Sequence, residues 1–160
     1  MNKSFKYRLY PTKEQKIQIQ KNFGCVRFVY NYYLAKRIEL YEKYKETFNY
    51  YACAKDLTQL KKELTWLKEA DSTSLQSSLK NLDAAYQKFF KEHKGYPKFK
   101  SKKTHRFSYT CKCVSKNIEI IDTNKIKLPK LGTVKIKNNL PIEARSFPQL
   151  SPRLLQVNTF

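Results

Sequence analysis

The sequence predicts an α+β protein in which a small β-barrel-like domain carries an inserted helical bundle. Apolar residues recur at helical spacing between residues 12 and 92, and they alternate with polar residues between residues 106 and 137. The alternating segment Lys3 to Tyr10 has no neighbouring strand in sequence, so it is expected to pair with the later strands. The predicted division is a first strand at 1–10, an inserted helical domain at 11–92, a basic loop with the remaining strands at 93–143, and an irregular tail at 144–160.

The first predicted strand places Phe5, Tyr7 and Leu9 on one face. Proline cannot donate a hydrogen bond to a strand ladder, so the strand is expected to end at Pro11. The next residue is Thr12, and a glutamine follows three positions later, which is the spacing of a capping box. A helix is therefore predicted to begin after Thr12.

Helical spacing continues from Ile17 to Tyr44 and is interrupted only near Gly24. We predict two consecutive helices with a turn at Phe23–Gly24, an arrangement like a helix-turn-helix. A third helix is predicted from Tyr51 to Lys62. A fourth has Asp71 or Ser72 as its N-cap, and its apolar stripe consists of Leu75, Leu79, Leu82, Tyr86 and Phe89.

Period-two patterns follow the helices. Turn residues at 122–124 and at Gly132 separate the predicted strands. Beyond Glu143, serines and prolines break the pattern, so no helix or strand is predicted in the tail. The predicted strands are Arg106–Cys113, Asn117–Ile121, Lys125–Leu128 and Thr133–Lys137.

The chain is strongly basic, with 33 Lys and Arg against 13 Asp and Glu and a formal net charge of +20. An apolar content of 41% is enough for a hydrophobic core, which excludes a disordered basic tail. No apolar run approaches the roughly 20 residues needed to cross a bilayer, and the N-terminus does not resemble a signal peptide. We expect a cytoplasmic protein that binds polyanions and no membrane.

In residues 95–103, cations alternate with aromatic rings on either side of Pro97. Unpaired bases can stack on such rings, while ammonium groups replace the counterions condensed on phosphates. A run of charge is more often a solvated surface, but a solubilising surface does not need exposed rings. Nucleic-acid contacts are therefore predicted for Lys94, Tyr96, Lys98, Phe99, Lys100, Lys102, Lys103 and Arg106.

The sequence gives no argument for a catalytic site, a metal site or a cofactor. Two-metal phosphodiester hydrolysis needs several converging carboxylates, whereas Glu39, Glu42 and Glu46 lie beside lysines along one helix, as in surface ion pairing. The four cysteines lack the paired spacing of a zinc site. We therefore predict no catalytic residue, no metal and no cofactor.

Arg27 and Asn31 lie early in the second predicted helix, where a helix-turn-helix protein reads base edges. Their neighbours Val26, Val29 and Tyr30 are apolar, which favours a buried helix. Core packing with Arg27 as a phosphate contact is the favoured interpretation. A stand-alone helix-turn-helix DNA-binding regulator is the alternative.

Seven short motifs extend over residues 1–143, and their order resembles the N-terminal part of the TnpB family, the OrfB-type transposases of insertion sequences. Seven motifs in the same order are far more specific than any one of them alone. They are Lys6–Thr12, Arg27–Asn31, Trp66–Glu69, Leu75–Leu82, Tyr86–Phe90, Gly95–Lys100 and Lys127–Gly132.

In that family the complete protein is an RNA-guided DNA endonuclease. The resemblance implies that the strands form a wedge domain that binds guide RNA and that the helices form a recognition lobe over the guide–target duplex. Positions similar to contacts with flanking DNA are Tyr50 and Gln76. Lys6, Arg8 and Arg27 complete the predicted nucleic-acid contacts.

The family's RuvC-like nuclease and its zinc ribbon would follow the wedge domain, and neither is recognised in residues 1–160. The resemblance therefore implies a truncated chain that binds guide RNA and DNA without cutting. The alternative is one half of a split nuclease, completed by a separate nuclease-bearing chain.

Overall fold

The structure is a computed structural model that describes residues 7–104, 107–137 and 154–158. These residues contain three α-helices and six β-strands, which confirms the predicted α+β class. The helices are α1 (Lys13–Tyr44), α2 (Tyr50–Glu63) and α3 (Ser72–Glu92), with short 3-10 helices at Thr65–Glu69 and Lys102–Thr104. The strands are β1 (Leu9–Tyr10), β2 (Ser108–Lys112), β3 (Glu119–Asp122), β4 (Lys125–Leu128), β5 (Gly132–Ile136) and β6 (Leu154–Asn158).

The chain folds as two compact units, one from residues within 1–20 and 112–155 and the other from residues within 21–111 and 156–160. The first unit holds a four-stranded antiparallel sheet in the order β1-β5-β4-β3. Within the described residues this sheet is open, with β1 and β3 at its edges, so these strands do not close the predicted barrel.

The predicted pairing of the N-terminal strand with later strands is confirmed, because Leu9 lies opposite Ile136 and Tyr10 opposite Lys135. The strand is shorter than predicted: residues 7 and 8 have no strand conformation, and residues 1–6 lie outside the described part. Buried and exposed side chains alternate along β4 and along β5 from Thr133 onward, as predicted. Their buried side chains are Ile126, Leu128, Val134 and Ile136.

The predicted capping box is confirmed. The Thr12 N–H donates to Gln15 Oε1 at 3.0 Å, and the Gln15 N–H donates to Thr12 Oγ1 at 3.3 Å. The Gln15 amide nitrogen also donates to the carbonyl oxygens of Leu131 at 3.1 Å and Thr133 at 2.8 Å. One side chain therefore caps α1 and also binds the start of β5.

The predicted turn at Phe23–Gly24 is wrong, because α1 continues without interruption through these residues. A glycine inside a helix costs only about 1 kcal/mol relative to alanine. Burial of Phe23, Cys25 and Val26 on either side of Gly24 offsets that cost. Residues 13–44 therefore do not form two helices joined by a turn.

In the second unit, α2 confirms the predicted third helix, and the Asn49 side chain accepts from the Ala52 N–H at 3.0 Å as its N-cap. Asp71 is the N-cap of α3, as predicted, and accepts from the Ser74 N–H at 3.1 Å. The fully buried side chains of this unit include Val29, Tyr33, Leu34, Leu67, Leu75, Leu79 and Leu82. None of the helices in the described ranges combines the length and hydropathy of a membrane span.

The prediction of an entirely irregular tail is wrong for residues 154–158, which form β6 and pair with β2 in a two-stranded sheet. Gln156 is exposed and Val157 is buried. The strand was not predicted, because it is short and its backbone partner β2 is more than 40 residues away in sequence. Residues 138–153 and 159–160 lie outside the described part.

Candidate nucleic-acid interface

The basic segment, Gly95–Lys103, follows α3 and is fixed in its middle by one side chain of α1. The Asn31 Nδ2 group donates to the Lys100 carbonyl oxygen at 2.9 Å, and Asn31 Oδ1 accepts from the Lys100 N–H at 2.8 Å. Pro97 is buried. Because both polar atoms of the Asn31 amide are engaged, they do not point to base edges as operator reading by this residue would require.

We expect Asn31→Ala to release the basic segment. The loss of two hydrogen bonds should lower the free energy of unfolding by about 1–3 kcal/mol and make the chain more sensitive to trypsin at Lys98 and Lys102. Limited proteolysis and urea denaturation measure the two effects. Asn81→Ala is the matched control, since Asn81 is an exposed asparagine of α3. Equal sensitivity of the two variants would contradict this role of Asn31.

The predicted contact residues of the basic segment have two different environments. Lys98, Lys102 and Lys103 are exposed and have no acidic partner among the described residues, and Phe99 is 57% exposed. Lys94 is exposed but forms an ion pair with Glu92 at 2.7 Å. The segment therefore presents three free lysines and one ring to solvent.

Two other members of the basic segment hold it in place. The Lys100 ammonium lies 4.3 Å from the centroid of the Tyr30 ring, and partial desolvation lowers the pKa of Lys100, although the residue as a whole is exposed. The Tyr96 hydroxyl lies 3.0 Å from the Tyr86 hydroxyl, and the Tyr96 ring meets the Phe89 ring edge-on. Lys100 and Tyr96 are therefore anchors as well as candidate contacts.

Arg27 is half-buried, and its guanidinium carbon lies 5.7 Å from the centroid of the Phe107 ring. This position agrees with the favoured interpretation, in which α1 packs in the core. Lys6 and Arg106, also predicted as contacts, lie outside the described residues.

Tyr50 and Gln76 stand near the starts of α2 and α3. Lys80 follows Gln76 by one helical turn, and its ammonium lies 5.5 Å from the centroid of the Tyr50 ring. The structure thus places Lys80 against Tyr50, one helical turn from Gln76. Sequence reasoning missed Lys80, although its spacing of four from Gln76 was a usable signal.

The outward face of the four-stranded sheet carries a second group of cations. Tyr10 lies opposite Lys135, and Lys135 lies opposite Lys125. The guanidinium carbon of Arg8 is 5.9 Å from the centroid of the Tyr10 ring. We name this face the sheet surface, and its members are Arg8, Tyr10, Lys125, Lys127, Lys135 and Lys137.

On the sheet surface, Lys125 and Lys135 lie directly opposite one another. Their like charges repel, which destabilises the pairing of β4 and β5. On β3, Glu119 lies opposite Lys127 and Asp122 lies opposite Lys125, so these two acids offset the positive charge of β4. Positive charge on β5 and β1 remains without opposite acids in the ladder. A polyanion bound to this face would remove the repulsion.

Sequence analysis predicted only Arg8 of the sheet surface. A signal for the others was present, because the lysines of β4 and β5 alternate with buried apolar residues. The same alternation is expected of any strand with one buried face, so it predicts the strands and does not by itself predict a binding surface.

The cysteine thiols are largely buried, and two partly buried aspartates are engaged with neighbouring side chains. Burial raises the pKa of Cys25, Cys53 and Cys111, which keeps these thiols protonated. Asp56 accepts from the Tyr33 hydroxyl at 2.9 Å and pairs with a lysine, and Asp83 pairs with Arg37. In the described part of the chain, no three His, Cys, Asp or Glu residues are grouped as a metal site would require.

Comparison with known proteins finds one matching domain family and several similar proteins. Residues 1–46 match the family of helix-turn-helix domains of the OrfB/IS605 type. The chain is 39% identical over 110 residues to a protein of Streptomyces pristinaespiralis named as an RNA-guided DNA endonuclease, covering 68% of this chain and 27% of the relative. It is 33% identical over 140 residues to InsQ of Escherichia coli K12, also named as an RNA-guided DNA endonuclease, covering 85% and 34% respectively.

A third relative is virulence protein VsdF of Salmonella dublin, 34% identical over 113 residues, which cover 64% of this chain and 95% of VsdF. The chain spans about a third or less of the two endonuclease relatives. The order of motifs, the matching helix-turn-helix family and these identities agree. The chain belongs to the OrfB/TnpB family and corresponds to the N-terminal part of its members.

Proposed function

We propose that this chain is a nucleic-acid-binding part of a TnpB-like endonuclease, and that it binds guide RNA and target DNA without cutting either. The observation that carries this proposal is the basic segment, where three free lysines and an exposed ring stand on a backbone fixed by Asn31. Such an arrangement binds phosphates with little loss of backbone entropy. The formal charge of +20 favours the same class of partner.

The strands and the helices have different roles in this proposal. The strands belong to a wedge domain, and the sheet surface binds the phosphates of guide RNA. Lysines on adjacent strands, about 5 Å apart, match a backbone of closely spaced charges. The helices form the inserted recognition domain at 11–92, with Tyr50, Gln76 and Lys80 toward flanking DNA. Residues 93–143 supply the basic segment and the remaining wedge strands, and residues 144–160 are a tail foreign to the family.

Absence of cleavage by this chain is the second half of the proposal. Two-metal hydrolysis requires carboxylates that converge on one pocket. Asp56, Asp71 and Asp83 are instead engaged with Tyr33, the start of α3 and Arg37. Cutting by a complex that contains this chain would need a separate nuclease-bearing chain.

Replacing Lys98 and Lys102 together by alanine should weaken binding to any RNA or DNA sequence, because phosphates carry no sequence information. With single-stranded RNA, the slope of log K against log salt should become shallower by about 1.4, or about 0.7 for each lysine. Fluorescence anisotropy with labelled oligonucleotides measures both quantities. In the same samples with Mg²⁺, the nucleic acid should stay intact.

The matched control is the double variant Lys43→Ala/Lys45→Ala, which also removes two of the 20 net positive charges. Lys43 pairs with Glu39 at 2.6 Å, and the Lys45 ammonium lies over the Tyr41 ring. Only the basic-segment variant should lose affinity. Equal losses would show that total charge, not this segment, causes binding, and a specific cut would overturn the claim that the chain does not cleave.

A stand-alone helix-turn-helix regulator is the second candidate, and the matched helix-turn-helix family favours it. It predicts tight binding to one duplex sequence and no affinity for RNA. The same anisotropy measurement, with RNA and with duplex DNA of several sequences, separates the two functions.

A further inference from the structure

The end of α3 carries a cluster of aromatic rings that includes residues not used by the function proposed above. Phe90 and Tyr86 have nearly parallel rings, 18° apart in plane and 6.3 Å apart at their centroids. Phe89 contacts Phe90 at 5.1 Å and Tyr96 at 5.1 Å. We name these four residues, Tyr86, Phe89, Phe90 and Tyr96, the aromatic ledge.

Phe90 is the outermost ring of the aromatic ledge and is 68% exposed. A single exposed apolar side chain is common and needs no explanation. Phe90 differs because Tyr86 and Phe89 support it, so its orientation is fixed while most of its surface faces solvent. A supported ring that remains exposed is suited to stacking with another flat group.

The charge around the aromatic ledge indicates what that flat group is. Lys91 and Lys98 are exposed, and Glu92, the only acid between residues 84 and 103, is paired with Lys94. The ledge therefore favours a ligand that combines flat rings with negative charge. Single-stranded nucleic acid has both, whereas in a duplex the faces of the bases are covered by their neighbours.

We propose that the aromatic ledge binds an unpaired base of single-stranded nucleic acid, which stacks on Phe90 while Lys91 and Lys98 contact the adjoining phosphates. This proposal rests on nucleic-acid binding by the chain and goes further, because it requires a base that is unpaired. It also adds a contribution to affinity that does not depend on salt.

The first test is Phe90→Ala in the full chain, titrated with a single-stranded oligonucleotide and with an abasic oligonucleotide of equal length. Affinity for the strand with bases should fall by about 5- to 150-fold, the range expected for one stacking contact. Affinity for the abasic strand should not change. The slope of log K against log salt should also stay the same, since no cation is removed.

Tyr44→Ala is the matched control. Tyr44 is 65% exposed and also stands at the end of a helix, but its neighbours include Glu42 and Glu46. Phe90→Leu retains apolar area without an aromatic ring and should behave like Phe90→Ala. Both substituted positions are exposed, so the emission of the single tryptophan, Trp66, should match that of the unsubstituted chain and report an intact fold.

The second test observes the contact directly. The double variant Phe90→Trp/Trp66→Phe keeps one tryptophan in the chain and moves it to the aromatic ledge. Its fluorescence should be quenched when the strand with bases binds and should change little with the abasic strand. Single-stranded substrate should quench more than a duplex of the same sequence.

Different outcomes separate the two proposals. If no oligonucleotide binds to the unsubstituted chain, both fail. If nucleic acid binds but Phe90→Ala has no effect, or lowers affinity for abasic and normal strands equally, only the proposal for the aromatic ledge fails. Equal losses of affinity in Tyr44→Ala and Phe90→Ala would likewise overturn it. It would also be overturned if the chain preferred a duplex to a single strand and Phe90→Ala weakened the binding of that duplex.

Discussion

Raising the salt concentration from about 50 to 200 mM should weaken the binding of single-stranded RNA to this chain by about 300- to 15,000-fold, if about 6 to 10 phosphates are engaged at a slope of about 0.7 each. Each lysine or arginine bound to a phosphate releases condensed counterions, and added salt opposes that release. The structure offers a similar number of exposed cations. The sheet surface has five, and the basic segment has three lysines without an acidic partner among the described residues. Anisotropy titrations at several salt concentrations measure the slope.

An uncharged oligonucleotide analogue of the same sequence is the control for the salt titration. It keeps the bases and removes the phosphate charges, so its binding should be weak and nearly independent of salt. A flat salt response with RNA itself would contradict the electrostatic basis of the proposed function. A steep response with the uncharged analogue would show that salt acts on the protein and not on phosphate contacts.

Arg37→Ala should destabilise the chain by about 3–5 kcal/mol, the largest effect on stability that we expect from a single substitution. Arg37 is only 9% exposed, and its Nη2 atom lies 3.0 Å from Asp83 Oδ1. Its guanidinium carbon also lies 5.0 Å from the centroid of the Tyr86 ring. Truncation leaves the Asp83 carboxylate without a cationic partner between α1 and α3, with only the hydrogen bond from Gln87 Nε2 at 3.1 Å. Urea denaturation followed by circular dichroism measures the loss.

Two variants distinguish an unpaired charge from lost packing. The double variant Arg37→Met/Asp83→Leu removes both charges and should recover much of the lost stability, because one buried and one partly buried charge are exchanged for apolar side chains. Lys43→Ala breaks the exposed pair with Glu39 and should leave the denaturation midpoint almost unchanged. A loss from Arg37→Ala as small as that from Lys43→Ala would contradict the role of Arg37.

Features of the fold that depend on a few adjacent residues could be predicted from the sequence. The capping box at Thr12 and Gln15 and the N-cap at Asp71 are examples, because each needs only residues within three positions. Strand β4 was predicted with its observed bounds, since its alternation extends over all four residues. Gly24 was misinterpreted because burial of its neighbours, a tertiary effect, outweighs its weak helix propensity.

The candidate site was predictable only where it is continuous in sequence. The basic segment was recognised from its composition, but its fixed path depends on Asn31, which lies 69 positions from Lys100. The sheet surface depends on register, since Lys125 and Lys135 become neighbours only when β4 and β5 pair. The aromatic ledge could not be predicted from the sequence. Tyr86 and Phe89 fit the apolar stripe of a helix, and nothing in the sequence places Tyr96 beside them.

Asn31 recognises the main chain of Lys100 and not its side chain. The course of the segment is therefore insensitive to which side chains occupy positions 98, 99 and 102. Mutations at those positions can alter the charge and the exposed ring of the segment while the scaffold keeps its shape. A lineage that carries this asparagine can consequently change the chemistry of this surface by single substitutions, without first having to find a new loop conformation.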